Sequence, residues 1–333
     1  MQEEVSENNL FSKKIFKHGF ILLIFTILTI ILTFPVILDF ASEAAGAGCW
    51  DKCHMMWRMW WAGFSVENNL NFFHSQYLFQ PNGVTIGGNL ALFTTTIGAV
   101  LQNMFGNTLT WNIIWISGFV FGGYSSFLLS NYFTRNYYAS IIAGIIFTFS
   151  TFHIVHSQLH IGLSMIVWLP LFILVLFKTL QEKSKILIVM GGMFLFLGAV
   201  THLYFFVILI MFSIVFFSIY IFKQKKVSNK TFILNFCLIL GIGISTSLII
   251  LTPGFDSISE WEEISINQHI KYSTSLSSLV TPTVHHTSQI QTNYGFWTWM
   301  HESLVDNETE RVTETIESYS YLGFPAILLS IIS

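Results

Sequence analysis

The chain has 333 residues, of which 53% are hydrophobic, 17% aromatic and only 10% charged, with a mean hydropathy of +0.63 and a formal net charge of −3. A soluble domain carries roughly 25% charged residues, so this composition excludes an ordinary soluble protein and defines an integral membrane protein. The net charge says little about partners, because the charges are segregated by side of the membrane.

The first apolar run, residues 19–38, follows Lys13, Lys14 and Lys17 and precedes the small residues Ala44, Ala45, Gly46 and Ala47. That layout resembles a secretory signal, but its apolar stretch is longer than the roughly 7–15 residues of a signal core, which favours an uncleaved anchor. Further runs at residues 111–129, 139–152, 162–177, 186–222 and 232–251 contain no Asp, Glu, Lys or Arg. A hydrocarbon core about 30 Å thick is crossed by about 20 apolar residues, and lipid forces their backbone to be helical because no water is present to satisfy the amides.

Charge fixes the topology by the positive-inside rule. With the N-terminus inside, Lys13, Lys14, Lys17, Arg135, Lys178, Lys183, Lys185, Lys223, Lys225, Lys226 and Lys230 all fall inside, out of 15 basic residues in the chain. Of the 18 acids, only Glu3, Glu4, Glu7 and Glu182 share that side, and of the 11 histidines only His18 does. Lys185 and Lys223 both belong inside, so the apolar stretch between them is read as a helical hairpin turning near Thr201, His202, Leu203 and Tyr204. Residues 90–104 are apolar but short and rich in Thr and Gly, and are read as a re-entrant or interfacial helix.

The expected fold is therefore an all-α membrane protein: a polytopic helical bundle with about seven to eight spans, the N-terminus inside and a long first outer loop, residues 39–110, bearing interfacial helices. Residues 1–252 form the membrane module and residues 253–318 an extracytoplasmic segment. Residues 319–333 begin a further apolar helix that is too short to span and reads as truncated.

Chemistry-bearing side chains concentrate on the outer side. In the first outer loop Asp51, His54 and Arg58 share one face at helical spacing, flanked by Trp57, Trp60 and Trp61. The plain alternative is a Trp-rich interfacial helix, with Asp51 and Arg58 as a structural ion pair. Cys49 and Cys53, four residues apart, allow a disulfide by compartment but are awkward to bridge within a helix. A metal site joining them to His54 is the other reading, and Cys237 reads as a small apolar residue. Pro81 and Gly83 mark a turn. His153, His156 and His160, spaced three and four, form one stripe of a helix suited to phosphate or headgroup contact, and His202 and Tyr204 join the same outer layer. Glu310, Glu314 and Glu317 share a face that reads as a solvated acidic helix, beside the sequon at Asn307.

Several of these features occur together and in order: an acid soon after the first span, a Trp-Trp pair, then Leu78, Phe79, Pro81 and Gly83. Ala143-Gly144-Ile145-Ile146-Phe147 with Phe149 and Ser150 follows, then His156 to His160 before Trp168-Leu169-Pro170-Leu171, and finally Tyr321-Leu322-Gly323. This order resembles the GT-C-type membrane glycosyltransferases. Relatives often carry Gly-Asp where this chain has Trp50-Asp51.

The resemblance implies transfer of a sugar from a polyprenyl-phosphate carrier to a lipid, glycan or protein acceptor on the extracytoplasmic face of the cell membrane, by a multi-pass protein. It assigns Asp51 as general base, with no certain cofactor, a divalent cation being compatible, and no nucleic-acid partner. Substrate contacts are expected from His54, Arg58, Trp60, Trp61, His156, His160, His202 and Tyr204, with Arg58 the best phosphate ligand because it stays charged and binds bidentately. A carboxylate with a reference pKa of about 3.9 is a weak base, and burial among Trp57, Trp60 and Trp61 is expected to strengthen it. The competing classes are a lipid or glycolipid flippase and a non-catalytic membrane relative. Ion-coupled transport is disfavoured, because such proteins place ionisable groups inside their spans.

Overall fold

The computed structural model describes residues 2–46, 48–86, 91–158, 160–182, 184–223 and 230–255. Over these the chain is an all-α membrane protein with one short hairpin. Its elements are α1 (Gln2–Leu32), a 3-10 turn (Val36–Asp39), α2 (Trp50–Glu67), β1 (His74–Ser75), β2 (Val84–Thr85) and α3 (Leu92–Thr134). They continue with α4 (Tyr137–Thr148), α5 (Thr151–Ser157), α6 (Ile161–Ser164), α7 (Trp168–Thr179), α8 (Lys185–Thr201), α9 (Leu203–Lys223) and α10 (Lys230–Phe255).

Among the described residues, four helices are long and apolar enough to cross a membrane: Ile15–Leu32, Leu92–Thr134, Leu203–Lys223 and Lys230–Pro253. A fifth results if α4 and α5, bent by 46°, count as one span. The seven to eight expected spans are therefore not reached by length. Helices α7 and α8 have 12 and 17 residues, short of the ~20 that a straight crossing takes. Ser150 breaks the third apolar run by capping α5, its side chain accepting from the His153 amide.

The expected hairpin in residues 186–222 is present and turns at His202, whose extended backbone (φ −162°, ψ 133°) separates α8 from α9. Residues 90–104 were expected to hold a helix of their own, and one does form, continuous with the span that follows except at Gly106 (φ 75°, ψ 171°). The segments expected outside the membrane after residue 255, with Glu310, Glu314, Glu317 and Asn307, lie outside the described residues. Pro253 itself is carried inside α10.

Close helix contact rests on missing side chains, the usual device where lipid removes the hydrophobic drive between helices. A Cβ on Gly123 would stand 2.4 Å from the Phe25 ring, and one on Gly144 equally close to it, so Phe25 of α1 fills a slot between α3 and α4. Gly192 of α8 and Gly243 of α10 admit Ile242 and Leu195 in the same way. Gly98 receives Met59, seating α2 on the first arm of α3.

The loop ahead of α2 is held by side chains from the middle of α3. Asn112, fully buried, accepts from the Ala45 amide (2.7 Å) and donates to the carbonyls of Phe40 and Glu43 (2.7 Å each). Trp111 donates to the Ala45 carbonyl (2.9 Å). Lys52 returns from α2 to the carbonyls of Ala44 (3.0 Å) and Gly46 (3.2 Å). The two bonds to Ala45 satisfy backbone groups that would otherwise be buried without partners, a cost of about 1–3 kcal/mol apiece; the others tie more exposed parts of the loop to α2 and α3.

Candidate active-site cavity

A cavity of about 240 Å³ is lined by Asp51, His54, Met55 and Arg58 from α2, Ala91 ahead of α3, His160, Ile161 and Gly162 at the start of α6, and His202 at the α8–α9 break. Five of the residues singled out from the sequence thus meet in one place, although they come from three separated parts of the chain.

Helix α2 brings Asp51, His54 and Arg58 to one side, as their spacing predicted. Asp51 lies in the first turn of α2. The turn is closed by a disulfide between Cys49 and Cys53, whose Cα atoms are 5.0 Å apart. The bridge is compatible with the helix because Cys49 is the N-cap (φ −112°, ψ −8°) rather than a helical residue. Both sulfurs are consumed in it, which replaces the metal reading of Cys49, Cys53 and His54. Among the described residues no group of three His, Cys, Asp or Glu side chains is arranged to hold a metal ion.

His160 reaches the cavity because α5 ends at Ser157. The single helical stripe expected for His153, His156 and His160 is therefore not formed. His153 is fully buried, its ring nitrogens facing the carbonyls of Thr148 (2.5 Å) and Ser164 (2.8 Å). His156 donates from Nδ1 to the Phe152 carbonyl (2.9 Å) and stacks on the Phe152 ring, with its own ring 6.2 Å from that of His160. His156 stands behind His160 rather than lining the cavity. His160 instead caps α6, and its Nδ1 lies 3.2 Å from Asp51 Oδ2.

His202 is brought in by Gly162, where a Cβ would stand 2.9 Å from the Thr201 carbonyl and 3.3 Å from the His202 ring. Its Nδ1 accepts from the Tyr204 amide (3.2 Å), which leaves Nε2 as the N–H of the neutral ring. Tyr204 is 61% exposed and packs on the His202 ring at 4.7 Å, outside the cavity lining.

Trp60 and Trp61 do not line the cavity. They pack in an aromatic cluster instead, where Trp57 stacks on Trp61 (5.8 Å, 5°) and Trp60 on Phe64 (4.8 Å), with Tyr77 at the edge. Trp61, 2% exposed, belongs to a core with Ile86, Leu92 and Leu251 and donates to the Phe72 carbonyl (3.0 Å). Trp60 follows Asp51 by nine residues, about two and a half turns, and so points opposite to it, whereas Trp61, seven residues beyond His54, keeps nearly that residue's direction but lies roughly 10 Å further along the helix. The indole enclosure expected around Asp51 is absent, and the carboxylate side chain is 52% exposed. The Pro81–Gly83 turn closes the hairpin in which Ser75 pairs with Val84, Gly83 taking φ +74°.

Electrostatics in the cavity favour neutral His54 and His202 rings beside a charged guanidinium. Arg58 donates from Nε to His54 Nε2 (3.1 Å). Burial pushes the Arg58 pKa down and the nearby Asp51 carboxylate opposes this; the group stays charged at neutral pH. Burial, then the positive charge of Arg58, lower the pKa of His54 against a smaller opposing effect of Asp51. His202, 4% exposed, is pushed down to about 3, chiefly by burial and further by His160 and His156.

His202 is therefore expected to make the fold acid-labile. Above about pH 6.5 it is neutral whether the chain is folded or unfolded. Below that, only the unfolded chain takes up its proton, so stability falls with pH until about pH 3. At about 1.4 kcal/mol per pH unit, bringing the protein from pH 7 to 4.5 lowers its stability by roughly 2–3 kcal/mol, and His202→Gln removes that share of the loss. Unfolding at the two pH values, measured on both proteins, checks this; an equal loss in the variant contradicts it.

Beside the polar cavity lies an apolar crevice of about 370 Å³. Its walls are Phe93, Thr94, Ile97 and Leu101 on the first arm of α3, Ile113, Ile114, Ser117 and Phe121 on the second, and Met165, Val167 and Trp168 between α6 and α7. It begins two and three residues beyond Ala91 and Gly162, on the same two segments that close the cavity.

Sequence reasoning missed Asn112, Trp111 and Lys52, which hold the loop that aims α2, and Gly162, which admits His202. Asn112 was the one visible signal: an amide side chain near the start of an apolar run needs partners when buried.

The arrangement defines a class: a helical membrane protein with an acid, a guanidinium and imidazoles gathered in one cavity beside an apolar crevice. The chain belongs to the family described as domain of unknown function DUF6311, whose model matches residues 61–333. The match begins within α2, so it takes in His156, His160 and His202 and starts after Asp51, His54 and Arg58. No curated protein and no solved structure matches the chain.

Proposed function

We infer that the protein is a multi-pass glycosyltransferase of the cell membrane, with its amino terminus inside, moving a sugar from a polyprenyl-phosphate carrier to an acceptor on the extracytoplasmic face. The observation that carries this reading is the juxtaposition of Asp51, Arg58 and the cavity histidines with an apolar crevice that starts on the same segments. A lipid-linked sugar phosphate has the same two parts: an apolar chain and an anionic, reactive head.

The chemistry requires a base for the acceptor hydroxyl and donors or cations for the departing phosphate. The Asp51–His160 pair supplies the basic centre. Arg58 supplies a permanent cation with a planar donor fork, and neutral His202 supplies an N–H at Nε2 without adding charge. The acceptor is a lipid, glycan or protein. A divalent cation is compatible with this chemistry, which none of these residue roles requires.

The test is direct. Purified protein in nanodiscs is given polyprenyl-phosphate glucose, mannose or arabinose, radiolabelled in the sugar, with a membrane extract as acceptor source. Label passing from the carrier to a second product is expected with one of the three donors. Movement of the labelled lipid between leaflets with no cleavage of the sugar–phosphate bond would replace this reading with a flippase.

A further inference from the structure

Asp51 alone is poorly placed to be the strong base of the site. Its side chain is half-exposed at the first turn of α2, outside any apolar enclosure. His160, at 23% exposure, shares the cavity and holds Nδ1 3.2 Å from Asp51 Oδ2. A free imidazole, with a reference pKa of about 6.5 against about 3.9 for a carboxylate, binds a proton several hundred times more tightly. When a carboxylate faces Nδ1, the ring proton is kept on Nδ1, the lone pair is left on Nε2, and the cation that forms on protonation is stabilised.

We propose that His160, through Nε2, takes the proton of the acceptor hydroxyl, and that Asp51 is the positioning residue that fixes its ring and balances its charge. This rests on the glycosyl-transfer reading. In the step, the acceptor O–H bond breaks and its proton passes to Nε2, while an acceptor oxygen pair forms the new bond to the anomeric carbon. The bond from that carbon to the phosphate oxygen breaks, and its pair leaves on the polyprenyl phosphate. Imidazolium and carboxylate remain as an ion pair, and the added negative charge on the phosphate is met by Arg58. Water then takes the proton from Nε2 and resets the ring.

The surroundings suit a transient imidazolium. From α2 the ring faces Asp51, which favours the cation, and His54 and Arg58, which oppose it. From α5 it faces His156 at 6.2 Å between ring centres, and from the α8–α9 break it faces His202. His54 and His202 are both held toward the neutral form, so neither adds positive charge beside the ring near neutral pH.

The test uses the full chain in nanodiscs with the three labelled donors and follows turnover against pH. His160→Gln is expected to lower kcat by about 10²–10³-fold, within the usual range for a lost general base, and to abolish the fall in rate on the acid side. Asp51→Asn should move that acid-side fall to lower pH, and the double variant should be no slower than His160→Gln. In His160→Ala, added imidazole should restore part of the rate, which a purely structural role for the ring would not allow.

Transfer by His160→Gln within threefold of the parent, with the acid-side fall intact and Asp51→Asn inactive, would return the base role to Asp51 and overturn the proposal. Failure of the parent protein to use any of the donors is a separate result. It overturns the transferase reading and this role together.

Discussion

Gly46→Ala is expected to lower the stability of the protein by about 3 kcal/mol and its turnover by about 100-fold. Gly46 has φ +98°, and a Cβ there would stand 2.2 Å from the carbonyl oxygen of Gln158. The strained backbone costs about 1–3 kcal/mol for a residue with a side chain, and the overlap with a backbone atom adds about 1–3 kcal/mol of overpacking.

The functional loss follows from location. Gly46 leads through Cys49 into the first turn of α2, and Gln158 lies two residues before His160, so the contact at Gly46 sets the distance between Asp51 and His160. Pushing the two strands of chain apart by an ångström or more breaks the 3.2 Å approach, and misplacement of that size commonly costs two orders of magnitude in rate. Thermal unfolding and turnover, measured on the same preparation, check both halves. A variant with normal stability and normal rate would show that the loop does not aim α2.

Arg58→Ala is expected to reduce transfer by about 10²–10³-fold, the range seen when a preorganised donor to a developing anion is removed. Arg58→Lys should recover part of this, because the charge is kept while the planar fork is lost. A second signature separates the phosphate role from packing. Arg58 is one of the causes that lower the pKa of His54, so its removal should let His54 protonate at higher pH. Turnover measurements on the two variants and a histidine NMR titration of Arg58→Ala test these claims. An alanine variant within threefold of the parent rate would remove Arg58 from the chemistry.

The parts legible in the sequence were those written in local periodicity. Asp51, His54 and Arg58 repeat at helical spacing and do share a face. The lysines at 185 and 223 demanded a turn between them, and it falls at His202. Local periodicity failed where a distant contact decided the outcome. His153, His156 and His160 have the spacing of one stripe, yet the cap at Ser150 and the end of α5 at Ser157 send them to three different environments. Trp60 and Trp61 are near Asp51 in sequence, yet Trp61 is buried in the core made with Ile86, Leu92 and Leu251, further along α2 than the cavity. Among the described residues fewer helices are long enough to span than the charge pattern implies, since apolar composition persists across breaks that shorten the helices.

Gly106 shapes the crevice beside the cavity. At φ 75° and ψ 171° it occupies a conformation open essentially to glycine alone, and nothing lies within 4 Å of where a side chain would begin. Without that joint, the 43 residues of α3 would form a rod roughly 64 Å long at ~1.5 Å per residue, about twice the thickness of a bilayer core. With it, the helix is kinked and both of its arms contribute walls to the same crevice, Phe93 and Ile97 from the first and Ile114 and Ser117 from the second. The crevice beside the polar cavity thus owes its two walls to a bend at one residue, in the manner of a clasp with one pin.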